Sequence, residues 1–563
     1  MRLPPSLSLA GVLFLTAGAY ALDQQGGEVE VWLHLEGTIG GERLGESLEM
    51  VGDVDGDGTP DLVVGRPFGS SGGFQFNGYV EVLSGVDGSL IHRWDGGADF
   101  EYLGSTLSAR HDVDDDGVDD ILIGTPDAAV GVDPAAGKWM LQSGATGLTI
   151  HAASGSAADE RLGSAVALVG DLNGDGRSEF LVGAAGAAAG AGRVDLHDGA
   201  TGALLQAFPG AAGSALGAAV AGAGDIDGDG TRDLLMGAPE SDVGGFIDNG
   251  EVRVVSGATL LDLRTHEGLA DSYRLGSALD GGRAIDLDDR DDYVLGAATA
   301  SAIAPSGGAA FAVSGADGSY LWRIDGQNIA DNLGGCVATC GDVDGDGFGD
   351  VLVGARLVDA NGLVDSGSAL LLGGRNGTLL MRADGEAAID NLGRAVTGGR
   401  DFDGDGHPDI AYSAPFADPQ GVSLGGEVEV VRIRPVLTAS AGEVDAAAGG
   451  VVVFTMDFPL SEVGLPYLLL ASRSGVGPTP YRGASIPLTN DSLFQLMVSS
   501  PPLVFSGAAG NLGPGGSAVA TLTLTPGIAA GFVGSTVHFA ALSLDLGSLP
   551  SVVSNVVALA ILP

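Results

Sequence analysis

Short apolar runs of four to six residues, closed by Gly, Pro or acidic clusters, recur along the chain from about residue 28, with β-branched residues common among them. Runs of that length and content predict strands and exclude long helices. They come in a fixed order. Each unit opens with Leu-Gly and a small or apolar run, as in "LGESLEMVG" from Leu44 or "LGSAVALVG" from Leu162. An acidic loop follows, then a second run ending in a Gly-Ala-Pro-like corner: "LVVGRP", "ILIGTP", "FLVGAA", "LLMGAP", "YVLGAA", "VLVGAR" and "IAYSAP". After a variable loop a third run starts at Gly ("GYVEVLSG", "GRVDLHDG", "GEVRVVSG"), and a DG or TG turn leads into a fourth, such as "SLIHRWDG".

The acidic loop sets the period. It has the form DxDxDGxxD and starts at Asp53, Asp112, Asp171, Asp225, Asp342 and Asp401, with gaps of 59, 59, 54, 117 and 59 residues. The long gap holds two periods, with a shortened copy, "AIDLDDRDDYVLG", around Asp286 to Asp292. Seven repeats of four strands in sequence predict an all-β chain folded as a seven-bladed β-propeller. The last repeat stops at its third strand, "GEVEVVRI" from Gly426 to Ile433, while "GEVEVWLHLEG" from Gly27 to Gly37 precedes the first Leu-Gly as a fourth strand would. The N-terminal strand is therefore expected to complete blade seven, closing the ring and removing free sheet edges. From residue 436 the acidic loops cease, and "GVVVFTMDF", "PYLLLASRSG", "LFQLMVSS", "AVATLTLTP", "TVHFAALSLD" and "VVALAIL" read as six or seven strands of a small β-sandwich-like domain.

Composition adds a charge and a compartment. The formal charge is −48, from 73 acidic against 25 basic side chains. Such a surface repels nucleic acid and anionic membrane and draws cations. Arg2, the apolar stretch Leu7 to Ala19 and the small-residue site Ala19-Tyr20-Ala21 read as an export signal, too short to span a bilayer comfortably. The expected organisation is thus a signal peptide over 1–21, a propeller over 22–435 and a sandwich-like domain over 436–563, in a secreted or cell-surface protein with no transmembrane segment after cleavage. The two cysteines, Cys336 and Cys340, fall in one predicted strand. Four extended residues span about 13 Å, beyond disulfide reach, so both are expected as small core residues.

Three carboxylates at alternate positions converge on one point only if the chain curls tightly, and the Gly at the sixth position permits that turn. In loop one Asp53, Asp55 and Asp57 would give side-chain oxygens, Thr59 its backbone carbonyl and Asp61 a bidentate carboxylate. The corresponding sets are Asp112, Asp114, Asp116, Val118 and Asp120; Asp171, Asn173, Asp175, Arg177 and Glu179; and Asp225, Asp227, Asp229, Thr231 and Asp233. The last two are Asp342, Asp344, Asp346, Phe348 and Asp350, and Asp401, Asp403, Asp405, His407 and Asp409. All donors are hard oxygen, which selects Ca²⁺ over zinc, copper or magnesium. An EF-hand would need Glu at position twelve and flanking helices, but Val64, Ile123 and Val182 stand there within strands. Two carboxylates about 5 Å apart repel by about 1 to 3 kcal/mol. One ion at a dissociation constant of about 10⁻⁴ M and free calcium of about 1 mM would add about 1.4 kcal/mol. In the shortened fifth copy Arg290 lies among Asp286, Asp288, Asp291 and Asp292, and its guanidinium is expected to stand in for an ion.

Leu-Gly openings, DxDxDG loops, Gly-Ala-Pro-like corners and seven copies resemble the FG-GAP repeats of the integrin α-subunit propeller, over about residues 28 to 435. The family's Phe is Leu here. The resemblance implies a seven-bladed FG-GAP propeller with about six structural Ca²⁺ sites, more than in integrins, where only some blades bind calcium. It also implies calcium hairpins on one face and a ligand surface on the other. There the longer loops "FGSSGGFQFNG" from Phe68, "ESDVGGFIDNG" from Glu240 and "FADPQGVSLGG" from Phe416 would meet an extracellular protein or glycan. No nucleophile elbow or metalloprotease pattern is present and the eight His are scattered, so a non-enzymatic adhesion or ligand-recognition scaffold is expected. A secreted hydrolase or lyase with a propeller-borne site, and a purely structural cell-surface component, are the alternatives.

Overall fold

The computed structural model describes residues 28–434 apart from 287 and 289, and shorter segments between 437 and 562. The expected signal peptide and the expected domain boundary at 435 and 436 lie outside the described residues. Between 28 and 434 the chain forms seven four-stranded antiparallel sheets. Blade one runs outward through Ser47–Val51, Asp61–Arg66, Tyr79–Leu83 and Leu90–Asp95. The fifth repeat builds a full blade from Ala278–Arg283, Asp292–Ala297, Ala309–Val313 and Tyr320–Asp325, and its loop is as long as those of blades four and six. Burial grades along each blade. Second strands such as Ile121–Thr125 and Glu179–Ala184 are buried throughout, whereas the outer Leu90–Asp95 is half or fully exposed, so apolar runs sit second and mixed runs sit outermost.

The repeating motifs are two halves of one joint between neighbouring blades. The Leu of each Leu-Gly is buried, and it makes a parallel bridge to the Gly that opens the preceding blade's third strand: Gly78 to Leu103, Gly137 to Leu162, and so on to Gly367 and Leu392. The Gly beside it lies on the corner Gly of the preceding blade. A Cβ added to Gly65 would fall 2.3 Å from the Gly104 carbonyl oxygen, and one on Gly183 only 2.0 Å from that of Gly217. Only glycine allows the two backbones so close. At the seam Leu44 N–H donates to the Gly425 carbonyl at 2.9 Å, while Gly45 lies against Ser413, which replaces the corner glycine in blade seven.

Closure follows the sequence expectation. Glu28–Glu36 pairs antiparallel with Glu427–Arg434, from Glu28 opposite Arg434 to Glu36 opposite Glu427, with one irregularity between Val31 and Leu33. Trp32 Nε1 donates to the Gly85 carbonyl in blade one at 2.9 Å, and Arg432 pairs with Glu30 and, at 2.9 Å, with Asp403.

Beyond residue 437 two sheets share one core. Leu437–Ala439, Gly450–Asp457, Ser517–Leu524 and Phe505–Ser506 form one; Glu443–Asp445, Val557–Leu562, Thr536–Leu544, Pro466–Ser472 and Ala509–Asn511 lie in the other. Phe454 meets Phe539 across them with ring centroids 4.5 Å apart. One expected strand is a helix. Ser492–Ser499, which holds "LFQLMVS" of that run, is α-helical because Asp491 caps it, its Oδ1 accepting from Phe494 N–H at 2.8 Å. Phe494 and Met497, three residues apart, are then the buried pair. Cys336 and Cys340 are free thiols in Leu333–Gly341, the second buried and the first half-buried.

The closing strand carries a pH-sensitive contact. His34 Nδ1 lies 3.1 Å from Glu429 and Nε2 3.5 Å from Glu36. The bond to Glu429, with the charges of Glu427 and Glu36 adding to it against burial, raises His34 to about 9. Burial raises Glu427 to about 7. Both folded-state values lie above the unfolded ones, so this stabilisation is complete at low pH and is lost as pH rises through them. At calcium saturation the melting temperature is expected to fall as pH rises from about 6.5 to about 9, and His34→Gln to flatten that fall in a thermal melt series.

Candidate metal centres

Each acidic loop joins the first and second strands of a blade, and in blades one to six the turn between third and fourth strands lies beside it. In loop one Asp53 accepts from the N–H groups of Gly56, Asp57 and Gly58 at 2.7, 3.0 and 2.8 Å, which curls the loop around its carboxylate. Asp55 accepts from Asp57 N–H at 3.1 Å and Asp57 from Thr59 N–H at 2.9 Å. Side-chain oxygens of Asp53, Asp55 and Asp57 lie within 4.8 Å of one another. The same curl recurs: Asp112 to Gly117 N–H at 2.8 Å, Asp171 to Gly176 at 2.8 Å, Asp225 to Gly230 at 3.0 Å, Asp342 to Gly347 at 2.9 Å and Asp401 to Gly406 at 2.8 Å. Position seven holds the fifth carboxylate in every loop. Val118, Arg177, Thr231, Phe348 and His407 donate their N–H to Asp116, Asp175, Asp229, Asp346 and Asp405 at 2.8 to 3.0 Å.

The ninth residue has a second duty that the spacing did not reveal. Asp61 is fully buried, one oxygen accepting from Val54 N–H at 2.7 Å and the other from Gly85 N–H at 2.9 Å. It therefore ties the loop to the neighbouring turn. Asp120 does the same with Val113 and Gly144, Asp233 with Ile226 and Gly257, and Asp350 with Val343 and Gly374. Asp292 keeps this strut in the fifth loop, with Ile285 at 2.6 Å and Gly315 at 2.8 Å. Glu179 and Asp409 hold Leu172 and Phe402. An ionised carboxylate has about four lone-pair sites, so two backbone bonds leave donors free for an ion.

The donor chemistry fits a hard divalent cation. Oδ1 of Asp114 and Oδ1 of Asp342 are buried without a hydrogen-bond partner. Burial pushes Asp61 and Asp233 up to about 6 and Asp120 and Asp409 up to about 7, with nearby loop carboxylates adding to the rise and backbone amides opposing it. Asp346 rises to about 7, and Asp344 and Asp350 are raised too, again first by burial and then by their neighbours. These are the signs of clustered oxygens that lack a positive charge.

Two residues stand where sequence spacing did not put them. In blade three the carboxylates within 4.8 Å of one another are Asp175, Glu179 and Asp198. Asp198 lies in the turn after the third strand, where blades one, two, four and five carry Ser84, Ser143, Ser256 and Ser314. It supplies the charge that Asn173 removes. Aligning the repeats beyond the loop would have found it. Arg290 reaches across to blade four rather than curling over its own loop: a Cβ at Gly228 would fall 1.1 Å from its Nη1. Asp291 likewise leaves its loop and accepts from Asp225 N–H at 3.0 Å. The expectation that Arg290 fills its own site, in a loop that has lost two residues, is corrected accordingly: the loop keeps its full length from Ala284 to Asp292, and its position seven faces the preceding blade, as Arg177 does with the Val113 carbonyl at 3.4 Å.

Residues 48–83, 162–197, 216–255 and 392–428 match the family model described as FG-GAP repeat, each from an inner strand toward the third strand of its blade. The chain is 33% identical over 208 residues to integrin alpha-5 of Xenopus laevis, covering 33% of this chain and 19% of that protein. It is 34% identical over 160 residues to integrin alpha-PS2 of Drosophila melanogaster (25% and 10%), and 33% over 210 residues to human integrin alpha-IIb (33% and 19%). It thus spans about a fifth or less of the length of these curated relatives. A solved structure described as the Dos1 propeller aligns at TM-score 0.39 and 10% identity, over 72% of this chain and 95% of that one. The chain carries FG-GAP repeats similar to those of integrin α subunits.

The raised carboxylates predict a signed pH effect. In the metal-free protein their folded-state values exceed the unfolded ones, so the stability they give is lost as pH rises from about 4 to about 7. Calcium can bind only as those protons leave. Adding calcium in weak buffer at about pH 6 is expected to release protons, with little release at about pH 8, as read by buffer-dependent calorimetric heats.

Proposed function

We propose that this FG-GAP repeat chain is an extracellular ligand-recognition scaffold, with about six calcium ions bracing its hairpin loops and an aromatic surface on the opposite face engaging a protein or glycan. The observation that supports it most is where exposed aromatic residues gather in a chain with only 6% aromatic content. Phe76 and Phe100 are 41% and 50% exposed, and Phe74 joins them at 40%. Phe76 packs on Phe100 and Tyr102 at centroid distances of 5.9 and 6.5 Å, and Tyr102 on Phe68 at 5.5 Å. The Arg43 guanidinium sits between Phe68 and Phe416, 4.0 and 4.3 Å from their ring centroids. These side chains come from the loops after the corners of blades one and seven and from the links entering blades one and two, all at the ends away from the acidic loops.

The loops that carry them are pinned. Asn77 Nδ2 donates to the Gly96 carbonyl at 2.6 Å and its Oδ1 accepts from Ser71 N–H at 2.8 Å; Asn249 makes the same pair of bonds with Gly268 and Val243 in blade four. Pre-ordered aromatic side chains are the usual anchors of recognition, since little entropy is lost when they bind. The similarity to integrin α subunits favours adhesion as the setting. Residues 1–21 would direct export, and no helix among the described residues is long and apolar enough to cross a membrane.

The aromatic surface can be tested with its ligand still unidentified. Glycan-array and cell-surface binding by the calcium-loaded chain are expected to fall at least about ten-fold in a Phe76→Ser, Phe100→Ser double variant, a loss of about 1.4 kcal/mol or more, with the melting temperature unchanged. Equal binding by the variant would remove this surface from the function.

A further inference from the structure

The channel along the propeller axis has the opposite charge balance to the chain as a whole. It encloses about 670 Å³, and Arg110, Arg232, Arg283, Arg394 and Arg400 line it against the carboxylates Glu46, Glu49 and Asp280. Five of the chain's 25 cationic side chains thus face one cavity in a molecule of formal charge −48. Three of the five are paired. Arg394 meets Glu46 at 2.9 Å, Arg110 lies between Glu49 at 2.6 Å and Asp280 at 3.0 Å, and Arg400 pairs with Asp119.

The other two have no carboxylate within 4.0 Å among the described residues. Arg283, the last residue of the inner strand of blade five, donates Nη2 to the Gly399 carbonyl at 3.1 Å. It lies over bare backbone: a Cβ at Gly399 would fall 2.1 Å from that Nη2. Arg232, from the loop of blade four, lies over Gly170 in the same way, where a Cβ would be 2.6 Å from its Cδ, and its Nη1 is 3.5 Å from the Cβ point of Gly282. Arg232 thus reaches Gly282 in blade five and Arg283 reaches Gly399 in blade seven, and both line the acidic-loop end of the same channel with most of their donors uncommitted. A partly buried cation without a counter-charge is costly, and the planar guanidinium fork matches an oxyanion edge.

We propose that this end of the channel binds a small oxyanion of the sulfate or phosphate type, held by Arg283 and Arg232. The anion is either free or carried on a sugar. The site differs from the aromatic surface in face, charge and chemistry, so it stands independently of the recognition function above.

Calorimetric titration of the calcium-saturated full chain with sodium sulfate, at ionic strength held by chloride, tests it. Saturable binding is expected, weakened at least about ten-fold in Arg283→Gln and in Arg232→Gln. It is unchanged in Arg161→Gln, whose exposed partner Asp127 lies 3.1 Å away on the other face. A parallel titration with glucose 6-sulfate separates the sources: equal affinity assigns the free anion, and tighter binding assigns the sulfated sugar. If Arg283→Gln does not fold, as judged by its melt, Arg232→Gln carries the comparison. No saturable binding of either probe, or undiminished affinity in the folded arginine variants, overturns the proposal.

Discussion

Five blades of this propeller are each tied together by one carboxylate taken out of water. The ninth loop residue, Asp61 in blade one, links the first hairpin to the turn between the third and fourth strands through two backbone amides. That strut works best when the group is ionised, yet burial raises its protonation range, and neighbouring carboxylates in the same loop raise it further. A divalent cation would resolve the conflict by keeping the carboxylates charged and drawing them together. Blade five shows the conflict relieved another way. Its loop keeps the full length with Ala284 in place of the first Asp, Asp292 keeps the strut, and Asp291 and Arg290 reach to blade four, so the acidic centre is dispersed.

The ring itself depends on backbone proximity rather than on charge. Leu-Gly of one blade and the corner Gly of the blade before it meet at distances that leave no room for a Cβ, and the buried Leu seals each joint. Six such joints follow the chain. The seventh is made where Leu44 meets Gly425, and the N-terminal strand fixes it by pairing with Glu427–Arg434.

Most of this could be read from the sequence because a repeat states its rule several times. The strand order, the blade count, the closing strand and the six acidic loops all follow from motifs seen in several copies. What failed to show was whatever occurs once or acts between repeats. Asp198 completes blade three from a turn where most copies carry Ser, and the channel arginines come together only when residues distant in sequence are wrapped onto one axis. The helix Ser492–Ser499 was read as a strand because its run is short and apolar, and its cap Asp491 was the overlooked signal.

Acidic loops with Arg232 and Arg283 occupy one end of the ring, and the aromatic cluster around Phe76 and Phe100 occupies the other. The central claim is that divalent cations complete the hairpins. Counting bound calcium by native mass spectrometry while following the melt with and without chelator tests it most directly. The account predicts about six ions per chain and, since stabilisation at several sites adds, a melt that drops by many degrees on chelation. A chain that melts at the same temperature in excess chelator would contradict it.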